Sequence, residues 1–330
     1  MRLALKLSAA AALALAIVAV WLSVQLNRPY RSFSEPVFAD FERGTSTREI
    51  ASLLAQKGVI RNQWLFLAAR AMRRGTTLQA GEYKFEKPAS PLDIYGRIAR
   101  GDIFYMELLV PEGFNMFEIA DAVGKLGTIR PEDFLAAARN PAPIQDIDPR
   151  APSLEGFLFP NTYRLHRHTT AEQLCRMMTD EFRARWKTLH IGANVHETIT
   201  LASMVEREAR RPEERPLIAS VFCNRLRIGM KLDCDPTAIY AALLDNRYRG
   251  TIYRSDLENT SPWNTYRHAG LPPGPIANPG LDSIRAAIAP GNTRYLYFVA
   301  KADGSGGHTF SESLVEHSAA VARYQRATRR

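Results

Sequence analysis

Two stretches of this sequence hold side chains able to do chemistry. The first is the segment Leu201-Ala-Ser-Met-Val-Glu-Arg-Glu208. Its spacing predicts a helix with Leu201, Met204, Val205 and Glu208 on one side. Glu206 falls on another side, stacked over Ile199, Ala202 and Ser203. Small residues one turn away leave room beside its carboxyl for a ligand, and Ile199 and Met204 lie close enough to desolvate it in part. A carboxyl so placed serves as a general acid or base. The same pattern fits a solvated glutamate beside Arg207 and Arg210, so spacing alone leaves both readings open.

The second stretch is a loop, Ser261-Pro-Trp-Asn-Thr-Tyr266 followed by Gly270-Leu-Pro-Pro-Gly-Pro275. Its proline and glycine content fixes one path through space, and ordered loops of this length are usually functional. Trp263 and Tyr266 offer flat faces, and Asn264 offers both donor and acceptor groups. That set suits sugar rings, which stack through C–H faces and hydrogen-bond through hydroxyls. A proline-rich structural brace is the alternative.

Other chemistries find no support. The chain has no GxSxG, P-loop, HExxH or Rossmann fingerprint. His308 and His317 are too isolated from a third ligand to predict a metal, and no cofactor is expected. The three cysteines, Cys175, Cys223 and Cys234, lack ligand spacing and suit small buried hydrophobes.

The elements that must position these groups follow from the rest of the chain. At 330 residues, length suits about two domains with a sizeable core. A net charge of +9 favours anionic partners such as lipid headgroups or acidic wall polymers. The arginines are scattered apart from Arg323, Arg326, Arg329 and Arg330, and no basic run interleaves with aromatics, so nucleic acid is not an expected partner. From Leu7 to Leu26 no residue is charged. As a helix those roughly 20 residues span about 30 Å, a hydrocarbon thickness. Arg2 and Lys6 precede the run, and Trp21 sits near its far end. A retained anchor is preferred to a cleaved signal peptide because Trp21-Leu-Ser-Val-Gln25 makes a poor cleavage site. Arg28 and Arg31 weaken the charge argument for an N-in orientation.

An internal repeat follows. Phe41 to Ile60 matches Val110 to Ile129, with identical Gly44/Gly113, Glu49/Glu118, Ile50/Ile119, Ala51/Ala120, Gly58/Gly127 and Ile60/Ile129 pairs. Each copy predicts a strand, a glycine turn, an amphipathic helix and a glycine stop. Gly81 to Phe85 predicts a strand, and Ser90-Pro91 opens a helix. Arg139 to Pro152 holds four prolines and predicts a linker. Beyond it, helices are expected over 171–189, 195–210, 216–227 and 235–244. A strand is expected over 295–300, and Ser313 with Glu316 caps a last helix.

At these residues the chain closely resembles the MltG (YceG-like) endolytic murein transglycosylases. The matching motifs are Glu155-Gly-Phe-Leu-Phe-Pro-Asn-Thr-Tyr163, Leu201 to Glu208, Ala219-Ser-Val-Phe-Cys-Asn-Arg-Leu226 and Asp235-Pro-Thr-Ala-Ile-Tyr240. Asn264-Thr-Tyr266, Gly270-Leu-Pro-Pro-Gly274 and Gly307-His-Thr-Phe310 complete the series. The resemblance implies an α+β protein: a transmembrane helix (1–27), a LysM-like membrane-proximal domain (28–150) and a catalytic domain (151–330). It implies Glu206 as the catalytic residue, with Glu155, Asn224, Asp235, Asn264, Tyr266 and His308 shaping the substrate cleft. The implied reaction cuts the MurNAc–GlcNAc bond inside glycan strands and leaves 1,6-anhydro-MurNAc ends. The implied setting is the inner (cytoplasmic) membrane, single-pass, with the catalytic domain periplasmic. Partners would be peptidoglycan strands, that membrane and peptidoglycan synthases. Cys223 and Ala209 are mild departures from the family pattern. Two rivals remain: a hydrolytic muramidase, needing a second carboxylate such as Glu155 or Asp235, and a non-catalytic glycan-binding scaffold.

Overall fold

The structure, a computed structural model, describes residues 2–73, 75–189, 192 and 194–328. Arg329 and Arg330 of the tail arginine cluster lie outside the described residues. The chain forms two compact units, one ending at Met106 and one beginning at Glu107. The class is mixed α+β, as expected from the sequence.

The first unit opens with α1 (Arg2–Asn27), whose Lys6–Asn27 portion has mean hydropathy 2.4 and the length to cross a membrane. From Leu7 to Trp21 its large apolar side chains are exposed; Leu22 then packs on the unit's core and Leu26 is wholly buried in it. Then come β1 (Val37–Phe41), α2 (Thr47–Gln56), α3 (Gln63–Met72), β2 (Gly81–Phe85) and α4 (Pro91–Arg100). The strands pair antiparallel, from Val37 opposite Phe85 to Phe41 opposite Gly81. Phe41, Leu54, Phe66, Tyr83, Tyr95 and Ile98 fill the core beside Leu26. Ser46 with Glu49, and Ser90 with Asp93 behind Pro91, form the capping boxes that start α2 and α4.

The second unit runs β3 (Met106–Leu109), α5 (Met116–Leu126), α6 (Pro131–Ala138), β4 (Thr162–Leu165), α7 (Ala171–Thr188) and α8 (Val195–Glu208). It continues with α9 (Arg215–Arg227), α10 (Asp235–Leu244), α11 (Arg254–Leu257), α12 (Leu281–Ile288), β5 (Tyr297–Ala300), β6 (His308–Ser311) and α13 (Leu314–Thr328). β3 pairs with β4, and β5 pairs antiparallel with β6. Helix α8 is the axis of this unit. Ile199 and Ala202 enter one core with Phe157, Leu174 and Phe182, while Leu201, Met204 and Val205 enter another with Phe222 and Tyr240. Every residue from Thr198 to Val205 is buried, so Glu206 is where the helix emerges.

The proline-rich segment is not the boundary that its composition predicts. Ile144, Asp148, Ala151 and Leu154 are buried, and Leu154 N–H bonds the carbonyl of Ala138. Residues 107–150, expected with the membrane-proximal part, share one core with α7 and α8. The repeat is real at the level of local structure. Each copy turns at a glycine with positive φ (Gly44 at 93°, Gly113 at 80°) and starts its helix with a capping box, Asn115 replacing Ser46 in the second. Its copies fall in different units.

Candidate active site

Glu206 occupies the last turn of α8, with its side chain only 6% exposed. Both carboxylate oxygens are held. Gly280 N–H donates to Oε2 at 2.9 Å, and Arg215 Nη2 donates to Oε1 at 3.2 Å. Gly280 is the N-cap of α12 and Arg215 opens α9, so two helix starts converge on one carboxylate. A helix N-terminus favours negative charge, and a charge-assisted hydrogen bond adds orientation.

The space beside the carboxyl does not come from Ala202 and Ser203, as spacing suggests. Both are fully buried, and Ser203 Oγ donates to Thr200 O and accepts from Ile276 N–H. Gly113 and Gly280 stand beside the carboxyl instead. A Cβ on Gly113 would stand 3.4 Å from Glu206 Cγ, and one on Gly280 would overlap the carboxylate of Glu112. Glu112 Oε2 lies 3.7 Å from the same Arg215 Nη2 that holds Glu206. Partial desolvation, then the charge of Glu206, raise the Glu112 pKa above its ordinary value.

The loops carrying Glu112 and Gly280 are bonded to each other. Gly113 N–H donates to Asn278 O, and Asn278 donates to Phe114 O through both its backbone N–H and Nδ2, each at 2.9 Å. Arg207 Nη1 holds Gly113 O at 2.9 Å and pairs with Glu118. Beneath them lies Glu155, with no exposed surface. Its Oε2 accepts from Met116 N–H at 2.9 Å and its Oε1 from Asn278 Nδ2 at 2.7 Å. Burial pushes the Glu155 carboxyl up to about 8 despite these bonds. Glu155 thus fixes both walls of the Glu206 pocket without lining it.

The remaining residues singled out from the sequence are spread around the second unit. Asn224 Nδ2 donates to the carbonyls of Thr293 and Tyr295. Asn264 is fully buried, its Nδ2 facing the carbonyls of Asp256, Leu257 and Asn259. Trp263 packs on Tyr240, ring centroids 4.9 Å apart. This part of the loop is braced from within. Tyr266 donates its hydroxyl to Asp235 Oδ1 at 2.6 Å. Both line a cavity of about 460 Å³ with Glu208, Arg225, Tyr297 and His317. Glu208 faces that cavity and accepts from Cys234 Sγ at 3.3 Å; burial pushes its carboxyl up to about 7. His308 is held by Glu214, which accepts from its backbone N–H at 2.9 Å and lies 2.7 Å from its Nδ1. Since Glu214 immediately precedes Arg215, His308 braces the start of α9. Glu112, Arg215, Asn278 and Gly280 are the site residues that spacing missed. The glycine turn of the repeat points near Glu112, and the proline- and glycine-rich loop that begins at Ser261 runs on to Asn278 and Gly280.

The YceG-like family model matches residues 40–323. An endolytic murein transglycosylase of Bacillus subtilis is 32% identical over 323 residues, covering 89% of this chain and 88% of that protein. One of Streptococcus pneumoniae is 31% identical over 291 residues, covering 78% of this chain and 53% of its own longer length. A crystal structure of a yceG-like protein from Listeria monocytogenes superposes with a TM-score of 0.56 at 31% identity, covering 86% of this chain and 99% of that one. By the extent of these matches, the chain belongs to the YceG-like family.

Proposed function

We propose that this chain is an endolytic murein transglycosylase that cuts the MurNAc–GlcNAc bond within peptidoglycan strands, with Glu206 as its acid and base. The observation that carries the reading is the clamp on Glu206: a nearly buried carboxyl, oriented by Gly280 N–H and Arg215, where the C-terminal end of α8 leaves the core. The names of the relatives support the substrate class. Protonated, Glu206 gives its proton to the leaving glycosidic oxygen as the C1–O bond breaks. The muramic 6-hydroxyl then closes on C1 and returns a proton to Glu206. The product ends in 1,6-anhydro-MurNAc, and no water is consumed. Because the attacking hydroxyl is tethered to the reacting ring, its effective concentration is high.

A hydrolytic muramidase is the second reading, and Glu112 is the observation that favours it, since glycosidases usually use two carboxylates. Glu155, wholly buried and bonded, is no candidate for activating water. The anchor reading puts the chain in the cytoplasmic membrane with its catalytic unit outside. Residues 28–106 would be the LysM-like module, with peptidoglycan synthases as neighbours. The deciding experiment is mass spectrometry of products from purified full-length protein and intact glycan strands. Anhydro ends without label from ¹⁸O-water support transglycosylation. Labelled reducing ends leave the muramidase standing, and no cleavage leaves the scaffold.

A further inference from the structure

We infer that Glu112 is a second catalytic carboxylate of this site, the ionised group that faces the positive charge developing on the sugar ring while Glu206 moves the proton. The inference rests on the reading of Glu206 as a glycosidic acid and base. A glycosidic bond breaks through an oxocarbenium-like state, in which the ring gains positive charge as the leaving oxygen gains a proton. One carboxyl cannot supply both a proton and a fixed negative charge at that moment. The structure provides a second one, differently held.

The contrast between the two is in their partners. Both oxygens of Glu206 are engaged, and its side chain is 6% exposed. Glu112 is 53% exposed, and among the described residues neither of its oxygens accepts a hydrogen bond. A carboxylate this exposed keeps acceptor capacity for a ligand lying beside Glu206. Its mounting is nonetheless rigid. Pro111 restricts the backbone before it, Gly113 follows in the left-handed region at φ 80°, and Asn278 and Arg207 bond that turn from two sides. The carboxylate packs on Gly280 at a distance no larger residue would allow. A negative charge fixed in place before the reaction costs no reorganisation during it, which is the condition for effective electrostatic stabilisation. The charged groups that face Glu112 are Glu206 from α8, Arg215 from α9 and Asp282 from α12. Partial burial and the two acidic neighbours outweigh Arg215 and raise its pKa, so the working, ionised form is lost at a higher pH than for an ordinary glutamate.

The test uses the full-length protein in detergent with intact glycan strands, comparing wild type, Glu112→Gln, Glu112→Asp and Glu206→Gln. For Glu112→Gln, kcat should fall about 10²–10³-fold with KM within about threefold, since the lost interaction belongs to the transition state. Its residual rate should lack the acidic limb of the wild-type pH profile, and product ends should match those of wild type. Glu112→Asp, which keeps the charge but retracts it, should recover part of the rate. A Glu112→Gln enzyme with kcat within about threefold of wild type and an unchanged pH profile would overturn the inference and leave Glu206 as the sole working carboxyl. A loss of kcat that Glu112→Asp does not relieve, with the acidic limb intact, would also overturn it and make Glu112 a prop for Arg215. Wild-type protein that cleaves no glycan would instead remove the underlying reading of Glu206, and this one with it.

Discussion

Gly280 N–H lies 2.9 Å from Glu206 Oε2, and the same glycine leaves no room for a Cβ beneath the Glu112 carboxylate. One residue therefore sets the direction of one carboxyl and the depth of another. It can do so because Asn278, two positions earlier, ties this segment to the turn that carries Glu112. The pocket is built from segments 112–116, 206–215 and 278–280, and it is the hydrogen bonds between them that make it a site.

Glu206→Gln keeps the shape of the side chain and one of its two accepted hydrogen bonds but delivers no proton. General acid–base catalysis contributes about 10²–10⁴-fold, and turnover is expected to fall by at least that much while the melting temperature changes little. Glu208→Gln, on the neighbouring cavity with Cys234, is the control and should cost far less. Near wild-type turnover by Glu206→Gln would remove the assignment.

Gly280→Ala tests the shared role of that glycine without deleting either carboxylate. Its φ of −75° suits alanine, so backbone strain is not introduced. The new methyl must push the exposed Glu112 side chain aside, which is cheap in stability. Activity is expected to fall by at least tenfold with an unchanged unfolding midpoint. Unaltered kinetics would show that the packing of Glu112 on Gly280 is incidental.

Much of this architecture was legible in the sequence, and the exceptions share a cause. The apolar faces of α2 and α8, the capping box of Ser313 with Glu316, and the glycine turns at Gly44 and Gly113 are local, and local patterns expose them. The domain boundary was misplaced because prolines at 141, 143, 149 and 152 mark a turn-rich segment whether it is free or, as here, packed over Ile144 and Leu154. Glu112 and Arg215 are not legible from spacing because their pairing with Glu206 exists only in the folded chain: Arg215 reaches Glu206 from nine residues away, across the break between α8 and α9. Asn264 carried the opposite lesson: its donors suit a sugar, yet they cap three carbonyls of its own loop.

Glu155 makes stability depend on pH. Its folded value of about 8 lies above the ordinary 4.5, so the folded chain keeps a proton that the unfolded chain releases. That contribution is complete below about pH 4.5 and is lost as pH rises through about 8, with a limiting slope of about 1.4 kcal/mol per pH unit. Unfolding midpoints between pH 5 and 9 should decline for wild type and decline less for Glu155→Gln. Parallel curves for the two proteins would remove Glu155 as the source.

The loop separates brace from contact surface residue by residue. Asn264→Ala leaves the buried carbonyl of Asp256 and the half-buried carbonyls of Leu257 and Asn259 without their donor and should lower stability by about 1–3 kcal/mol. Tyr266→Phe loses only the bond to Asp235 at the rim of the 460 Å³ cavity and should melt near wild type. If Tyr266→Phe also keeps full activity on glycan, the hydroxyl has no part in binding substrate.

The anchor is expected to remain attached, and Leu26 gives the physical reason. Cleavage near Asn27 would strip Leu22 and Leu26 from a core in which Leu26 has no exposed surface and sits among Phe66, Tyr95 and Ile98. Emptying a buried leucine position costs about 2–5 kcal/mol. Leu26→Ala should therefore destabilise the first unit, whereas Val20→Ala, exposed on the same helix, should not. Arginine at Ala14 and Val18 should release the protein from membranes or lead to its degradation, since each charge at mid-bilayer costs about 2.5–3.5 kcal/mol on insertion scales. N-terminal sequencing of protein recovered from membranes decides the matter: a mature chain beginning near Asn27 would mean that α1 is a leader and that its last turn is dispensable to the fold.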